Sequence, residues 1–115
     1  MLNQTVLVGR IVREPELKKI ETGEVCYMTL AIPRSYKNIN GEYDTDMVDC
    51  VLWNSIAKST TKYCHKGDLV GVKGRIETRM VENSEGLNQK QTNVIAEKIT
   101  FLSTQKTKDK EDEIE

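Results

Sequence analysis

The feature that most constrains the fold is a change in apolar period that occurs once along the chain. Alternating apolar and polar residues, typical of strands, fill five segments, which are residues 4–12, 25–32, 47–53, 69–81 and 92–102. Between the third and fourth segments, residues 55–65 follow a helical period instead. Ser55 or Asn54 suits the helix start and Gly67 suits its end.

The resulting order is strand, strand, strand, helix, strand, strand, which predicts an all-β fold with one short helix. This order matches the OB-fold, a five-stranded Greek-key β-barrel with a helix between strands 3 and 4. We expect Pro33 to end the second strand and Asn40-Gly41 to form a hairpin turn. A small β-sandwich is the alternative, but an isolated helix in mid-chain suits it poorly.

Charge is high and balanced, with 17 Lys+Arg against 18 Asp+Glu. Residues 1–104 carry 14 basic and 13 acidic side chains, and residues 105–115 carry 3 and 5. We therefore expect one folded domain over 1–104 and a short acidic disordered tail over 105–115. This balance excludes binding of nucleic acid by bulk positive charge, although a local basic face remains compatible with it. The core is lean, at 37% hydrophobic residues, which favours association between copies.

Several functional classes are disfavoured. No apolar run approaches the ~20 residues that span a bilayer, and we expect no membrane association. The three cysteines form no CxxC pattern, so we interpret them as buried, reduced thiols in a cytoplasmic protein. His65 has no nucleophile motif beside it, and Asp44, Asp46 and Asp49 lack the further carboxylates of a two-metal nuclease. We expect no enzyme, cofactor or metal site.

A few side chains fit a binding surface for unpaired bases. Trp53 has the parity opposite to Val48, Cys50 and Leu52, so it points outward if those three face the core. An outward tryptophan indicates either a ligand surface or a subunit interface.

Tyr36 lies between Arg34 and Lys37, where a ring could stack on a base while the cations contact phosphates. Ordinary edge packing is the alternative for Tyr36, and Tyr27 is ambiguous.

The strand at 69–81 carries a row of cations on one parity, formed by Lys73, Arg75 and Arg79 and interrupted by Glu77. By itself this row fits a solvated strand face equally well. Together with Trp53 it fits a phosphate track, because binding of single strands combines such a track with stacking.

The chain resembles the bacterial single-stranded DNA-binding protein family over about residues 1–104. The matching segments are Leu2-Asn3-Gln4-Thr5-Val6-Leu7-Val8-Gly9-Arg10, Glu14-Pro15-Glu16-Leu17, Leu30-Ala31-Ile32-Pro33-Arg34-Ser35-Tyr36, Val51-Leu52-Trp53, Tyr63-Cys64-His65-Lys66-Gly67-Asp68 and Gly74-Arg75-Ile76-Glu77-Thr78-Arg79. The combination is specific, although each segment alone is weak.

The resemblance implies an OB-fold subunit of a homotetramer, a dimer of dimers, that wraps single-stranded DNA during replication, recombination and repair. It also implies stacking on Tyr36 and Trp53 and a phosphate contact from Arg79. Met47 and Val81 stand where the family often has further aromatic rings, so we expect weaker or differently distributed binding.

The last residues depart from the family, whose long tail ends in Pro-Phe and docks replication and repair proteins. Here the end reads Lys110-Glu111-Asp112-Glu113-Ile114-Glu115, which counts against recruitment of those proteins through the tail. The compact form resembles an accessory version in a bacterial cell, encoded by a phage or mobile element. The alternative hypothesis is an OB-fold interaction module that docks on replication machinery.

Overall fold

A computed structural model describes residues 1–104 of the chain. Its elements, in chain order, are β1 (Thr5–Ile11), β2 (Lys18–Ile20), β3 (Gly23–Lys37), β4 (Tyr43–Trp53), α1 (Asn54–Tyr63), β5 (Leu69–Glu82) and β6 (Asn88–Ser103). The predicted tail over 105–115 lies outside the described residues.

Five of the strands close a barrel in the order β1-β5-β6-β4-β3, with β3 returning to β1. Neighbouring strands are antiparallel except β4 and β6, which run parallel. The helix α1 connects β4 to β5, the third and fourth strands of the closed barrel. These features confirm the predicted OB-fold.

The barrel interior is filled by the apolar residues of one parity from each strand. Its largest fully buried side chains include Ile11, Leu30, Leu52, Val70 and Val72. The three cysteines, Cys26, Cys50 and Cys64, are also buried, as the sequence predicted. Leu30 on β3 and Leu52 on β4 point into the barrel, whereas Tyr27, Asp49 and Trp53, which have the opposite parity, are exposed. Val51 shares their parity but is buried.

The sequence misjudged how far β3 extends and missed one short strand. β3 runs through Pro33 to Lys37, and its register with β4 shifts between those two residues. Proline is tolerated here because β1 pairs with β3 only at Ala31 and Leu30, which leaves this stretch as an edge. The missed strand β2 has three exposed residues and pairs only with β3, so no alternation of burial marks it.

The predicted helix cap was also wrong. Neither Ser55 nor Asn54 caps α1, since the N-cap position is Trp53 and makes no side-chain cap bond. Asn54 instead adopts a positive φ of 52°, which asparagine tolerates, and its Oδ1 accepts a bond of 3.1 Å from the Glu24 amide. The helix ends at Tyr63, before Gly67. This arrangement fixes Trp53 at the junction between β4 and α1.

Candidate nucleic-acid interface

Two long hairpins form the surroundings of the site. The first hairpin arm is β3–β4, and the second is β5–β6. Both turns follow the pattern Asn-x-x-Gly-x: Asn38 bonds to Glu42 in the first, and Asn83 bonds to Leu87 in the second. In each turn the asparagine Oδ1 accepts two backbone N–H bonds, and the glycine has φ near 80°. The first turn confirms the predicted hairpin at Asn40-Gly41, and it is closed by Asn38 and Glu42.

Gly74 allows the second arm to fit against the barrel. A Cβ at this position would overlap the carbonyl oxygen of Ile95 on β6. The register between β5 and β6 shifts at the same place, between Lys73 and Gly74. The shift separates Lys73, on the barrel, from Arg75 and Arg79, on the arm.

A groove runs between the two arms and is called the central groove below. It consists of two adjoining clefts that share Tyr27, Val51, Arg79 and Asn93. One cleft adds Trp53, Glu77 and Ile95; the other adds Arg13, Met28, Thr29, Asp49, Cys50 and Gln91. The groove therefore joins an apolar and aromatic end to a polar end.

Trp53 supplies the aromatic end of the groove, as its parity predicted. Its side chain is 39% exposed, and it lines the cleft with Val51 and Ile95. Val51 and Ile95 are register partners across the parallel β4–β6 pair, so they form a flat apolar floor beside the ring. A flat ring next to an apolar floor can take a base by stacking.

Arg79 reaches the same groove from β5. Its Nε donates a hydrogen bond of 3.0 Å to the Gln91 Oε1, and Gln91 is its register partner on β6. Within residues 1–104, Arg79 forms no ion pair. Its charge is thus oriented by a neutral amide and remains available to an anion.

Two other predicted cations are held by carboxylates. Arg34 donates from Nη2 to the Asp46 Oδ1 at 2.9 Å and from Nε to the Asp46 Oδ2 at 3.1 Å, with Asp44 3.7 Å away. Arg34 holds the pKa of Asp46 below its ordinary value. Asp44 and Asp46 both lie on β4.

Arg75 donates to the Glu77 Oε2 at 2.7 Å. Since Glu77 lines the central groove and Ile95 is the register partner of Arg75, this arginine borders the groove at the Trp53 end. Its charge, however, is already matched by Glu77.

The remaining predicted residues lie away from the groove. Tyr36 is exposed on the first arm, and Lys37 places its Nζ 5.8 Å from the ring centre of Tyr43. Lys73 is exposed on the barrel between Val6 of β1 and Lys98 of β6. None of these side chains lines the two clefts. The structure thus brings Trp53 and Arg79 together and leaves Tyr36, Arg34, Lys37 and Lys73 outside the groove.

Sequence reasoning left Tyr27 ambiguous and missed Arg13. Tyr27 is exposed and lines both clefts. The centre of its ring lies 5.7 Å from the Lys18 Nζ. Its parity, opposite to buried Cys26 and Met28, was a usable signal. Arg13 follows β1 and reaches the groove only through tertiary folding, so no local pattern marks it.

The side chains with reactive groups are not arranged for catalysis. Burial, with the charge of Asp49 adding to it, raises the pKa of Cys50 to about 12, so its thiol stays protonated and unreactive. His65 is paired through Nδ1 with the Glu14 Oε1 at 2.6 Å, on the surface. Within residues 1–104, no group of three or more His, Cys, Asp or Glu is placed to hold a metal ion. In the same residues, no helix has the length and apolar character to cross a membrane.

Comparison with known proteins places this geometry in a family. The model of the single-strand binding protein family matches residues 2–102. The chain belongs to the single-strand binding protein family. Proteins of this family bind DNA and are not enzymes, which confirms the predicted resemblance and the predicted non-enzymatic class.

Individual relatives of the single-strand binding protein family cover most of the chain. "Single-stranded DNA-binding protein B" of Bacillus subtilis strain 168 is 48% identical over 103 residues, which are 89% of this chain and 91% of that protein. "Single-stranded DNA-binding protein 1" of Staphylococcus aureus strain MSSA476 is 40% identical over 99% of this chain and 74% of its own length. "Single-stranded DNA-binding protein" of Lactiplantibacillus plantarum is 41% identical, but this chain spans only 52% of it.

Proposed function

We propose that the chain binds and protects single-stranded DNA by stacking bases on Trp53 and Tyr36 while cations contact the phosphates. The observation that supports it most is the central groove, where an exposed tryptophan and an arginine without an ion pair lie together. Family membership supports the substrate. Binding that tolerates any sequence follows, because every base has a face that can stack.

Arg79 is the strongest candidate among the phosphate contacts, since its charge is not matched within residues 1–104. Lys37 and Lys73 are also without ion pairs there, and they extend the contact area onto the first arm and the barrel. Arg34 and Arg75 contribute less in the proposal, because a phosphate would have to replace carboxylates that already hold them.

The proposal includes a homotetramer, a dimer of dimers, that acts in replication, recombination and repair in the bacterial cytoplasm. An apolar strip on the outer face of the barrel supports association. Val6 and Val8 on β1 are 71% and 50% exposed, and Leu102 on β6 is 48% exposed. Such a strip is costly in water and suits burial between subunits. Light scattering at micromolar concentration tests it, and monomers would contradict it.

Intrinsic fluorescence gives a direct test of base stacking, because Trp53 is the only tryptophan. Titration with oligo(dT) should quench its emission, and added salt should restore it as counterions displace the strand. Anisotropy of a labelled oligo(dT) should show weaker binding for Trp53→Ala and unchanged binding for Tyr63→Ala, which removes an exposed ring on α1.

The absence of both quenching and an anisotropy change at saturating oligo(dT) would contradict the proposed function. That result would favour the interaction module, to which the apolar strip would then belong. Normal binding by Trp53→Ala would leave DNA binding intact and exclude stacking on this ring.

A further inference from the structure

Asp49 carries an unmatched negative charge inside the central groove. It is exposed on β4, in the outward row that also holds Val51 and Trp53. In the described part of the chain, no cation forms an ion pair with it. A carboxylate in a groove for a polyanion lowers affinity unless the ligand offers it a hydrogen-bond donor.

The Asp49 carboxylate is held in place by Thr29 on β3, which Arg13 in turn contacts. The Thr29 Oγ1 donates to the Asp49 Oδ1 at 2.9 Å, and the Arg13 Nη2 donates to the same Thr29 oxygen at 3.3 Å. Since Arg13 uses a lone pair of Thr29, the hydroxyl proton is directed to Asp49. Within residues 1–104 the Asp49 Oδ2 receives no hydrogen bond, so it is available to a ligand.

The chemistry of single-stranded DNA restricts what that ligand group can be. Along the strand, phosphates and deoxyribose rings offer acceptors only, so the donors are the N–H groups of the bases. At the same edge position, cytosine presents its N4 amino group as a donor and thymine presents O4 as an acceptor. Thymine has one donor, N3–H, but this group lies between the O2 and O4 acceptors, whereas the cytosine amino group projects from the edge of the ring. A fixed carboxylate therefore favours cytosine over thymine.

The opposite wall of the groove does not discriminate in this way. Gln91 and Asn93 lie across from Asp49 in the same cleft. The Gln91 Oε1 already accepts from the Arg79 Nε at 3.0 Å and from the Asn93 Nδ2 at 3.4 Å, so Gln91 offers a ligand its amino donor and Asn93 offers its Oδ1 acceptor. Asp49 and Glu77 are the two carboxylates that line the groove, and both can only accept hydrogen bonds. Arg75 neutralises Glu77, whereas Asp49 has no ion pair within residues 1–104.

We propose that Asp49 gives this protein a graded base preference, favouring cytosine over thymine at the base beside it. The inference rests on the proposed function and adds a specificity-determining residue to the same groove. One contact of this kind corresponds to about a five- to tenfold preference at that base. Binding of any sequence is retained, because stacking on Trp53 does not depend on the base.

The test compares the affinities of oligo(dC) and oligo(dT) of equal length, by anisotropy at pH 8, in three proteins. These are the unaltered protein, Asp49→Asn, and Glu97→Gln, which removes one exposed charge outside the groove. The two oligonucleotides differ in stiffness, but that difference is common to all three proteins. The ratio of the two Kd values should shift about fivefold towards oligo(dT) in Asp49→Asn and stay unchanged in Glu97→Gln.

A second measurement replaces cytosine by 2-pyrimidinone, which lacks the amino group. The unaltered protein should bind this oligonucleotide several-fold more weakly than oligo(dC), whereas Asp49→Asn should show a smaller difference, because a neutral amide accepts from the amino group more weakly than a carboxylate. Equal tightening towards both bases in Asp49→Asn would mean that Asp49 only repels phosphates, and it would overturn the inference. An unchanged ratio would overturn it as well. Failure of the unaltered protein to bind either oligonucleotide would instead contradict the proposed function.

Discussion

The first hairpin arm holds Arg34 against Asp46 and Asp44, whereas the second arm holds Arg79 against Gln91. The two arms share the same turn pattern, and both arginines are part of the predicted DNA-binding set. Their partners differ in charge: carboxylates neutralise Arg34, whereas an amide leaves the charge of Arg79 unmatched within residues 1–104. The cation available to a phosphate is therefore decided by a residue on the neighbouring strand, which the arginine itself does not reveal.

The same contrast extends to the aromatic residues. Trp53 lies at the base of the central groove beside an apolar floor, and Tyr36 is exposed on the first arm outside the two clefts. In the proposed binding mode, a base on Trp53 would be enclosed on more than one side, and a base on Tyr36 would contact the ring alone. The central groove thus combines the more enclosed ring, Trp53, with Arg79, whose charge has no ion pair within residues 1–104.

Trp53→Ala should produce the largest loss of affinity for oligo(dT), because stacking contributes about 1–3 kcal/mol per base. Tyr36→Ala should lose less, since no second wall encloses its base. Anisotropy titrations of both variants at one salt concentration measure the difference. A larger loss in Tyr36→Ala would reverse the ranking of groove and arm.

Arg79→Ala should weaken binding by about fivefold, as expected for a hydrogen bond worth about 1 kcal/mol net. It should also lower the slope of log K against log salt by about 0.7, the value for one phosphate of a single strand. Arg34→Ala should change neither quantity appreciably, because its charge is already paired. Equal slopes for the two variants would show that the ion pair on the first arm opens when DNA binds.

Asp46→Asn should strengthen binding by a few-fold, since it releases Arg34 to a phosphate. The salt slope should rise by up to about 0.7. The double variant Asp46→Asn with Arg34→Ala is the control, because it separates the released arginine from the loss of a repelling charge. If the double variant binds as tightly as Asp46→Asn, Arg34 contributes nothing.

Acid should remove the small stability that the first arm gains from its ion pair. Arg34 lowers the pKa of Asp46 from 3.8, so the contribution is complete above that value and is lost as the pH falls through the lowered pKa. Urea unfolding of the unaltered protein and Asp46→Asn should differ slightly at pH 7, and the difference should shrink as the pH falls below 3.8. A difference that does not change with pH would assign the effect to something other than this charge.

Much of the fold was predictable because it depends on local patterns. The alternation of apolar residues marked all five barrel strands, and the single helical segment marked α1 between the third and fourth of them. The errors occurred where tertiary contacts override local rules. Pro33 is accommodated on an edge, and Asn54 bonds to Glu24 on β3 in place of capping the helix.

The candidate site was less predictable for a related reason. Parity located Trp53 and Arg79 on outward faces, and both line the groove. Parity already placed Glu77 on the same face of β5 as Arg75, but it could not show that Asp46 would neutralise Arg34, because that pair joins two strands and depends on their register.

The parallel pairing of β4 with β6 rests on two register pairs, Cys50 with Val94 and Val51 with Ile95, and the central groove lies over it. A strand of DNA in the groove would contact Trp53 and Tyr27 on one side and Arg79 on the other. It would therefore bridge one of the two least extensively paired lines of the barrel, since β1 and β3 also share only two register pairs. The backbone amides of residues 93–96 should then exchange with deuterium markedly more slowly in the complex. This slowing is expected even though the DNA would contact side chains of the groove and not these amides.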